Sequence, residues 1–386
     1  MLRDIRQWTL LIYASGNNEL EPEMWQARLD AEQTGSSGAV DVVMQLGREN
    51  RDLVRILRPM HLLPDAQEHW TGVRRYYIWK GRSDLLADLG SINMADPESL
   101  YEFIRWGLQS YPARHCLLAL GGHALQLVGM ITDYSQDAPY IMGLPELART
   151  LGRIREDTGK TIDILVLDTC HMNAVEAIYE LGHEVEQAVQ NVITFIEEGP
   201  IAGLPYGRLI HLVQQHADKD TTSVSKEIID GLQADLVAFE VNCSKLRGIK
   251  KAVHDYACDL LRDPGREEAV VPDPRHLDDK LASLIIHHHC LSPHKHLITL
   301  AAKMVPLLEP FYCRLAFARN NAWTRWLLNK KESADGSPVM GNKLEPTNLP
   351  KTALCLYIKI MNPSLDQKQA DMILQELLFY KNWRLD

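Results

Sequence analysis

Apolar runs alternate with helical periods along the first 240 residues of the chain. The runs at 8–14, 41–46, 73–79, 115–120, 162–167 and 191–196 are apolar almost end to end, the pattern of strands buried on both faces. Between them, apolar residues recur every three or four positions near 20–33, 97–110, 143–157, 173–188, 204–216 and 222–239, which predicts helices. Strand and helix in alternation predict an α/β fold with a mostly parallel sheet and helices on both faces. The short runs at 53–57 and 73–79, split by a Pro- and His-containing stretch at 59–70, read as an antiparallel addition. Beyond about residue 240 the pattern becomes mainly helical, broken by a charged, Pro-rich stretch at 262–279. A late strand at 353–360 and a helix at 364–380 close the chain. Two domains are expected, 1–240 and an α-rich C-terminal extension over 241–386.

Two strand ends carry the candidate chemistry. Ligands of open α/β sheets bind outside the carboxyl ends of the strands. The run at 162–167 ends in Asp168-Thr169-Cys170-His171-Met172-Asn173, and the run at 115–120 ends in Gly121-Gly122-His123-Ala124. A free thiol at neutral pH is only slightly ionised, and a nearby imidazole raises that fraction and handles the protons. Such acid–base help is worth ~10²–10⁴-fold in rate. Most free cysteines are inert core fillers, and Cys116 and Cys355, inside apolar runs, fit that description. Cys170 differs, because it lies past a strand end among polar residues.

Several further segments bear on the reading. They are Tyr13-Ala14-Ser15-Gly16-Asn17-Asn18-Glu19-Leu20, the stretch 88–100 with Tyr111-Pro112-Ala113-Arg114-His115 after it, and the Cys170 segment. Glu197-Glu198-Gly199-Pro200 and Gly203-Leu204-Pro205-Tyr206 follow. In this order, from Trp8 to about Tyr206, they resemble the clostripain-like cysteine peptidases. The resemblance implies a caspase-like fold and an endopeptidase that cleaves after Arg or Lys. It makes Cys170 the nucleophile and His123 the general base and acid, a dyad without a third member. It takes the oxyanion donors from the backbone N–H of Cys170 and of Ala124. Here the chain departs from the family, which usually has Gly after the His, and Ala resists positive φ.

For substrate binding, the resemblance makes Asp168 the mark of a pocket for a basic side chain, and Glu197 or Glu198 can add a second acid. A carboxylate is what an Arg or Lys side chain seeks. The plainer roles are a helix N-cap for Asp168 and a solvated loop for the two Glu. A second reading of the whole chain is a catalytically inactive relative that binds peptides or partner proteins through the same cleft. Ala124, Thr169 and His171 are the departures that keep it open. No cofactor is required. The resemblance alone allows Ca²⁺, to which some relatives respond, with acids such as Asp133, Asp137 and Glu198 to bind it, but no spacing matches a calcium loop.

Composition sets the outer bounds. A formal net charge of -10 speaks against a general nucleic-acid binder. No apolar run nears the ~18–20 residues of a membrane span. Seven cysteines without a tight pattern suggest reduced thiols, and no signal peptide is visible, so a cytoplasmic protein is expected, or a secreted one if a leader is missing from the sequence. Peptides or proteins are the expected partners, and nothing in the sequence points to an oligomeric state. The His and Cys cluster at 287–296 has zinc-ligand chemistry but reads as a surface helix end or a packed turn, since three consecutive residues cannot all face one ion. The loop at 132–143 holds no Lys or Arg, so the chain is expected to remain uncut between its His and Cys strands.

Overall fold

Five strands with few polar side chains need cover on both faces, and in the structure they form the middle of one sheet. The computed structural model describes residues 5–58, 68–125, 129–136, 141–170, 172, 175–183, 187–195, 199–234, 236–243, 246–247 and 316–318. Strand β1 (Arg6–Ala14) and helix α1 (Glu21–Thr34) lead to β2 (Val40–Arg48), α2 (Arg51–Leu57) and the hairpin of β3 (Gly72–Trp79) and β4 (Arg82–Gly90). Next come α3 (Pro97–Ser110), β5 (Ala113–Gly121), and a small sheet of β6 (Ala124–Leu125), β7 (Gly129–Thr132) and β8 (Ile141–Gly143). Helix α4 (Leu144–Thr158), β9 (Ile162–Asp168), α5 (Val175–His183) and β10 (Val189–Phe195) follow. Helices α6 (Tyr206–Gln215) and α7 (Thr221–Gly231) precede β11 (Leu236–Glu240) and the short β12 (Ala316–Ala318).

The large sheet runs β12-β11-β10-β9-β5-β1-β2-β3-β4. Its centre, β10 to β2, is parallel throughout, and both edges are antiparallel. Numbered among themselves in chain order, the five parallel strands run 2-1-3-4-5. Strand order therefore reverses between β1 and β5, and the crevice outside their carboxyl ends is the switch point where such sheets bind ligands. Helices α1, α6 and α7 pack together, as do α3, α4 and α5, so each face of the sheet has its own layer. Alternate residues of β1 serve the two cores: Trp8, Leu10 and Ile12 join the layer of α1, α6 and α7, while Tyr13 meets Phe103 of α3 with ring centroids 5.6 Å apart. Helix α3 starts where Asp96 accepts the N–H of Glu98, with Pro97 in the first turn.

Three elements differ from expectation, each for a physical reason. Residues 53–57 are helical rather than extended, because Asn50 caps the segment by accepting the N–H of Asp52. Strand β3 pairs with β2 on one side and with β4 on the other, and β4 is a largely exposed edge strand whose polar composition hides it from a search for apolar runs. The helix expected over 222–239 ends at Gly231, and Leu236–Glu240 pairs antiparallel with β10 instead. Most of 241–386, including the cluster at 287–296, the strand at 353–360 and the helix at 364–380, lies outside the described residues.

One buried ion pair ties the start of α1 to the end of β2. Glu21 is fully buried and its Oε1 lies 2.5 Å from Nη2 of Arg48, itself nearly inaccessible, while Arg51 Nε reaches Oε2 at 3.2 Å. The Arg48 guanidinium lies over the Trp25 ring, 4.2 Å from its centroid. Burial pulls the Arg48 pKa down and the Glu21 carboxylate pushes it back up. Removing one member of such a pair strands a charge in the interior. Glu21→Leu is expected to cost about 3–5 kcal/mol of unfolding free energy in urea titration. A loss under about 1 kcal/mol would mean the pair does not hold α1 against β2.

Candidate active site

The register of β5 against β9 sets the first geometry. Leu120 pairs with Leu167 and Gly121 with Asp168, and the Gly122 N–H still reaches the Asp168 carbonyl at 3.3 Å. His123 and Cys170 each stand two residues beyond that last pair. Adjacent strands lie about 4.8 Å apart, so the two residues leave the same rim from neighbouring strands. Both are partly exposed, with the His123 side chain 36% accessible. Cys116, by contrast, is buried within β5, and burial pushes its thiol pKa far up, which leaves it inert.

A strained hairpin presents His123. Its carbonyl accepts the N–H of Ile131 at 2.8 Å. Ile131 is fully buried with φ 62°, in the left-handed region that β-branched residues avoid, and the β7–β8 register slips at this point. A bulge held in that conformation costs about 1–3 kcal/mol and persists only where its surroundings impose it. Gly122, with φ 155°, takes the bend before the imidazole. Ala124 opens β6 opposite Met130 and is not among the positive-φ residues. The backbone at 124 therefore makes no demand that Ala resists.

Asp168 faces inward. Only 5% of it is accessible, and its carboxylate accepts the Leu204 N–H at 3.0 Å. Burial raises its pKa from 3.8 to about 6, against the pull of the Leu204 N–H and the Tyr206 hydroxyl. That hydroxyl is fully buried near the carboxylate but outside strict hydrogen-bond geometry, and burial first, then the Asp168 charge, raise the phenol well above its usual range. Gly203, with φ 69°, lies so close that a Cβ there would sit 2.9 Å from Asp168 Oδ2. Helix α5 begins at Val175, too far along the chain for Asp168 to be its N-cap. Glu197 and Glu198 lie outside the described residues, as does His171.

A carboxylate that the strand-end argument passes over meets the imidazole. Glu19, in the turn after β1, places Oε1 3.2 Å from His123 Nε2, an ion-pair distance outside strict hydrogen-bond geometry, with 27% of its side chain accessible. Its pKa falls to about 2, chiefly through the hydrogen bond to His123, with burial opposing and the nearby Tyr134 hydroxyl assisting. The turn is bound to the end of β7 and to the two residues after it. Asn18 Nδ2 donates to the Thr132 carbonyl at 2.8 Å, Ser15 Oγ to the same carbonyl at 3.0 Å, and the Tyr134 N–H to the Asn17 carbonyl at 2.8 Å. Asn17 Nδ2 also donates to Asp133 at 2.7 Å. A charged residue in a polar turn directly after a central strand was the available signal.

Asp133 is fully buried and committed to protein donors, accepting the N–H of Met94 and Ser135 besides the Asn17 amide. Asp137 lies outside the described residues, with Glu198. Among the described residues, no group of three or more His, Cys, Asp or Glu could hold a metal ion, and no helix is long and apolar enough to cross a membrane.

A sequence model of the clostripain family matches residues 86–262. No protein of curated function matches. Among solved structures, the chain is similar to a secreted C11 cysteine protease from Bacteroides thetaiotaomicron in complex with an irreversible peptide inhibitor. That likeness has 14% identity over 64% of this chain and 69% of the other, with a TM-score of 0.48. It is also similar to an inactive zymogen C11 protease from Parabacteroides distasonis, at 16% identity over 67% and 68% of the two chains and a TM-score of 0.49. The matched residues contain His123, Asp168 and Cys170 and begin within β4, well after Glu19. Over residues 86–262 this chain is thus similar to the clostripain family of cysteine peptidases.

Proposed function

We propose that the chain is an endopeptidase that cleaves after Arg or Lys, with Cys170 as nucleophile and His123 as general base and acid. The observation that carries the reading is the Gly121–Asp168 register pair, from which the thiol and the imidazole depart side by side. His123 takes the thiol proton, the thiolate attacks the scissile carbonyl, and the protonated imidazole then delivers its proton to the leaving amine. The N–H groups of Cys170 and Ala124 receive the developing oxyanion, a contribution of roughly 10²–10³-fold per donor. Water then releases the acyl group by the same proton route in reverse.

Asp168 supplies the specificity. Its carboxylate lies beneath the rim, two residues before the nucleophile, in a site that water hardly reaches. A charge in such surroundings attracts a substrate cation more strongly than it would in water. The carboxylate carries that charge only when ionised. With a pKa near 6, it is neutral in mildly acidic solution and negative above that point. The attraction is therefore absent well below pH 6 and complete well above it.

Fluorogenic peptides ended in Arg or Lys are expected to release their reporter with the parent protein and not with Cys170→Ala. An Arg-ended chloromethyl ketone is expected to label Cys170 alone in a peptide map. Label on another residue, or release that survives Cys170→Ala, would remove the thiol from the mechanism. The pH dependence tests Asp168 separately. For Arg-ended peptides, kcat/KM is expected to rise through about pH 6 more steeply than for neutral-ended ones, and Asp168→Asn should abolish the difference and lower the Arg rate about tenfold or more. Equal acid limbs for the two substrate classes would assign the specificity elsewhere.

A further inference from the structure

A dyad needs no third group, yet His123 has one against it. Glu19 reaches the ring from the far side of the switch point, from a segment outside the matched span. An ionised carboxylate is an acceptor only, and Glu19 is ionised throughout the neutral range. At the 3.2 Å separation of Oε1 and Nε2, a hydrogen shared between them can come only from the ring. With its hydrogen on Nε2, the ring keeps the lone pair on Nδ1, and Nδ1 is then the nitrogen that can accept a proton.

We propose that Glu19 is a positioning residue that holds the His123 ring by Nε2, so that Nδ1 takes the proton of the Cys170 thiol. This rests on the dyad reading given above. In the step, the S–H bond breaks and an Nδ1–H bond forms, leaving a thiolate and an imidazolium whose Nε2–H still faces the Glu19 carboxylate. No proton passes to Glu19. The Nδ1 proton later goes to the leaving amine, as in other nucleophile–imidazole–carboxylate sites.

The contact is imposed by the backbone rather than by a chance meeting of surface side chains. Ile131 fixes the His123 carbonyl, and the next residue, Thr132, accepts bonds from Ser15 and Asn18. Tyr134 then binds the Asn17 carbonyl through its N–H and lies beside the Glu19 carboxylate through its hydroxyl. The imidazole hairpin and the carboxylate turn are thus one bonded unit. A left-handed Ile within that unit is strain that a merely decorative contact would not require.

Glu19→Gln keeps the length and removes the charge. The expected result is a kcat lower by about tenfold or more, a KM within about twofold and an unchanged melting temperature, with Glu19→Asp recovering part of the rate. Independently of turnover, long-range ¹H–¹⁵N spectra of ¹⁵N-histidine protein, assigned with His123→Ala, should show the parent ring protonated at Nε2 and a mixture of tautomers in Glu19→Gln. An unchanged or increased kcat in Glu19→Gln overturns the proposal, the increase marking Glu19 as an inhibitory contact. A parent ring protonated at Nδ1 alone overturns it as well. If the parent and Cys170→Ala are equally silent on substrate, the dyad reading fails by itself, and the ring spectra still decide whether Glu19 holds Nε2.

Discussion

Parallel pairing of β1, β5 and β9 is the constraint from which the rest of this rim follows. The three strands are apolar and buried on both faces, so a slip of one residue would exchange the side chains of two separate cores. Their register is therefore firm, with Ala14 beside Gly121 and Gly121 beside Asp168. Everything polar at the site leaves from that row within a few residues. The Glu19 turn departs from β1, the bend at Gly122 from β5, and the Cys170 segment from β9. Distances among the three are set by backbone hydrogen bonds and strand spacing before any side chain takes a rotamer.

The rim is also where the fold bears its unfavourable terms. Ile131 sits at positive φ, Asp168 is an acid with little access to water, and Glu21 and Arg48 are buried charges close to the same end of the sheet. At Ile131 the strain lies in the hairpin that carries His123, the kind of place where strain serves a site. The ion pair belongs to this group, since it anchors the first turn of α1 directly after Glu19.

Much of this was legible in the sequence because it depended on composition alone. The five central strands announced themselves as apolar runs, and α3 ran over the residues its apolar spacing implied. Elements that depended on context were not legible. Strand β4 is an exposed edge with few apolar residues, and β11 became a strand because β10 offered it a free edge. At the site, His123 and Cys170 could be placed from strand ends, which are local features. Glu19 could not, because its partner lies far along the chain and the two meet only after β1 and β5 pair. The inward turn of Asp168 was equally hidden, since it depends on the Leu204 N–H and on Gly203 leaving room for the carboxylate.

A buried acid under the rim calls for a reason beyond structure. An Asn at 168 would accept the Leu204 N–H nearly as well and would avoid the desolvation that raises the carboxyl to about 6. What Asn lacks is the option of a charge. On the proposed reading, an entering guanidinium returns to Asp168 the electrostatic stabilisation that burial removed, so substrate binding and ionisation favour each other. A neutral side chain receives no such return and leaves the carboxylate without a partner. On that reading, the desolvation that makes a lone Asp168 carboxylate unfavourable is also what would make it discriminate in favour of a cation.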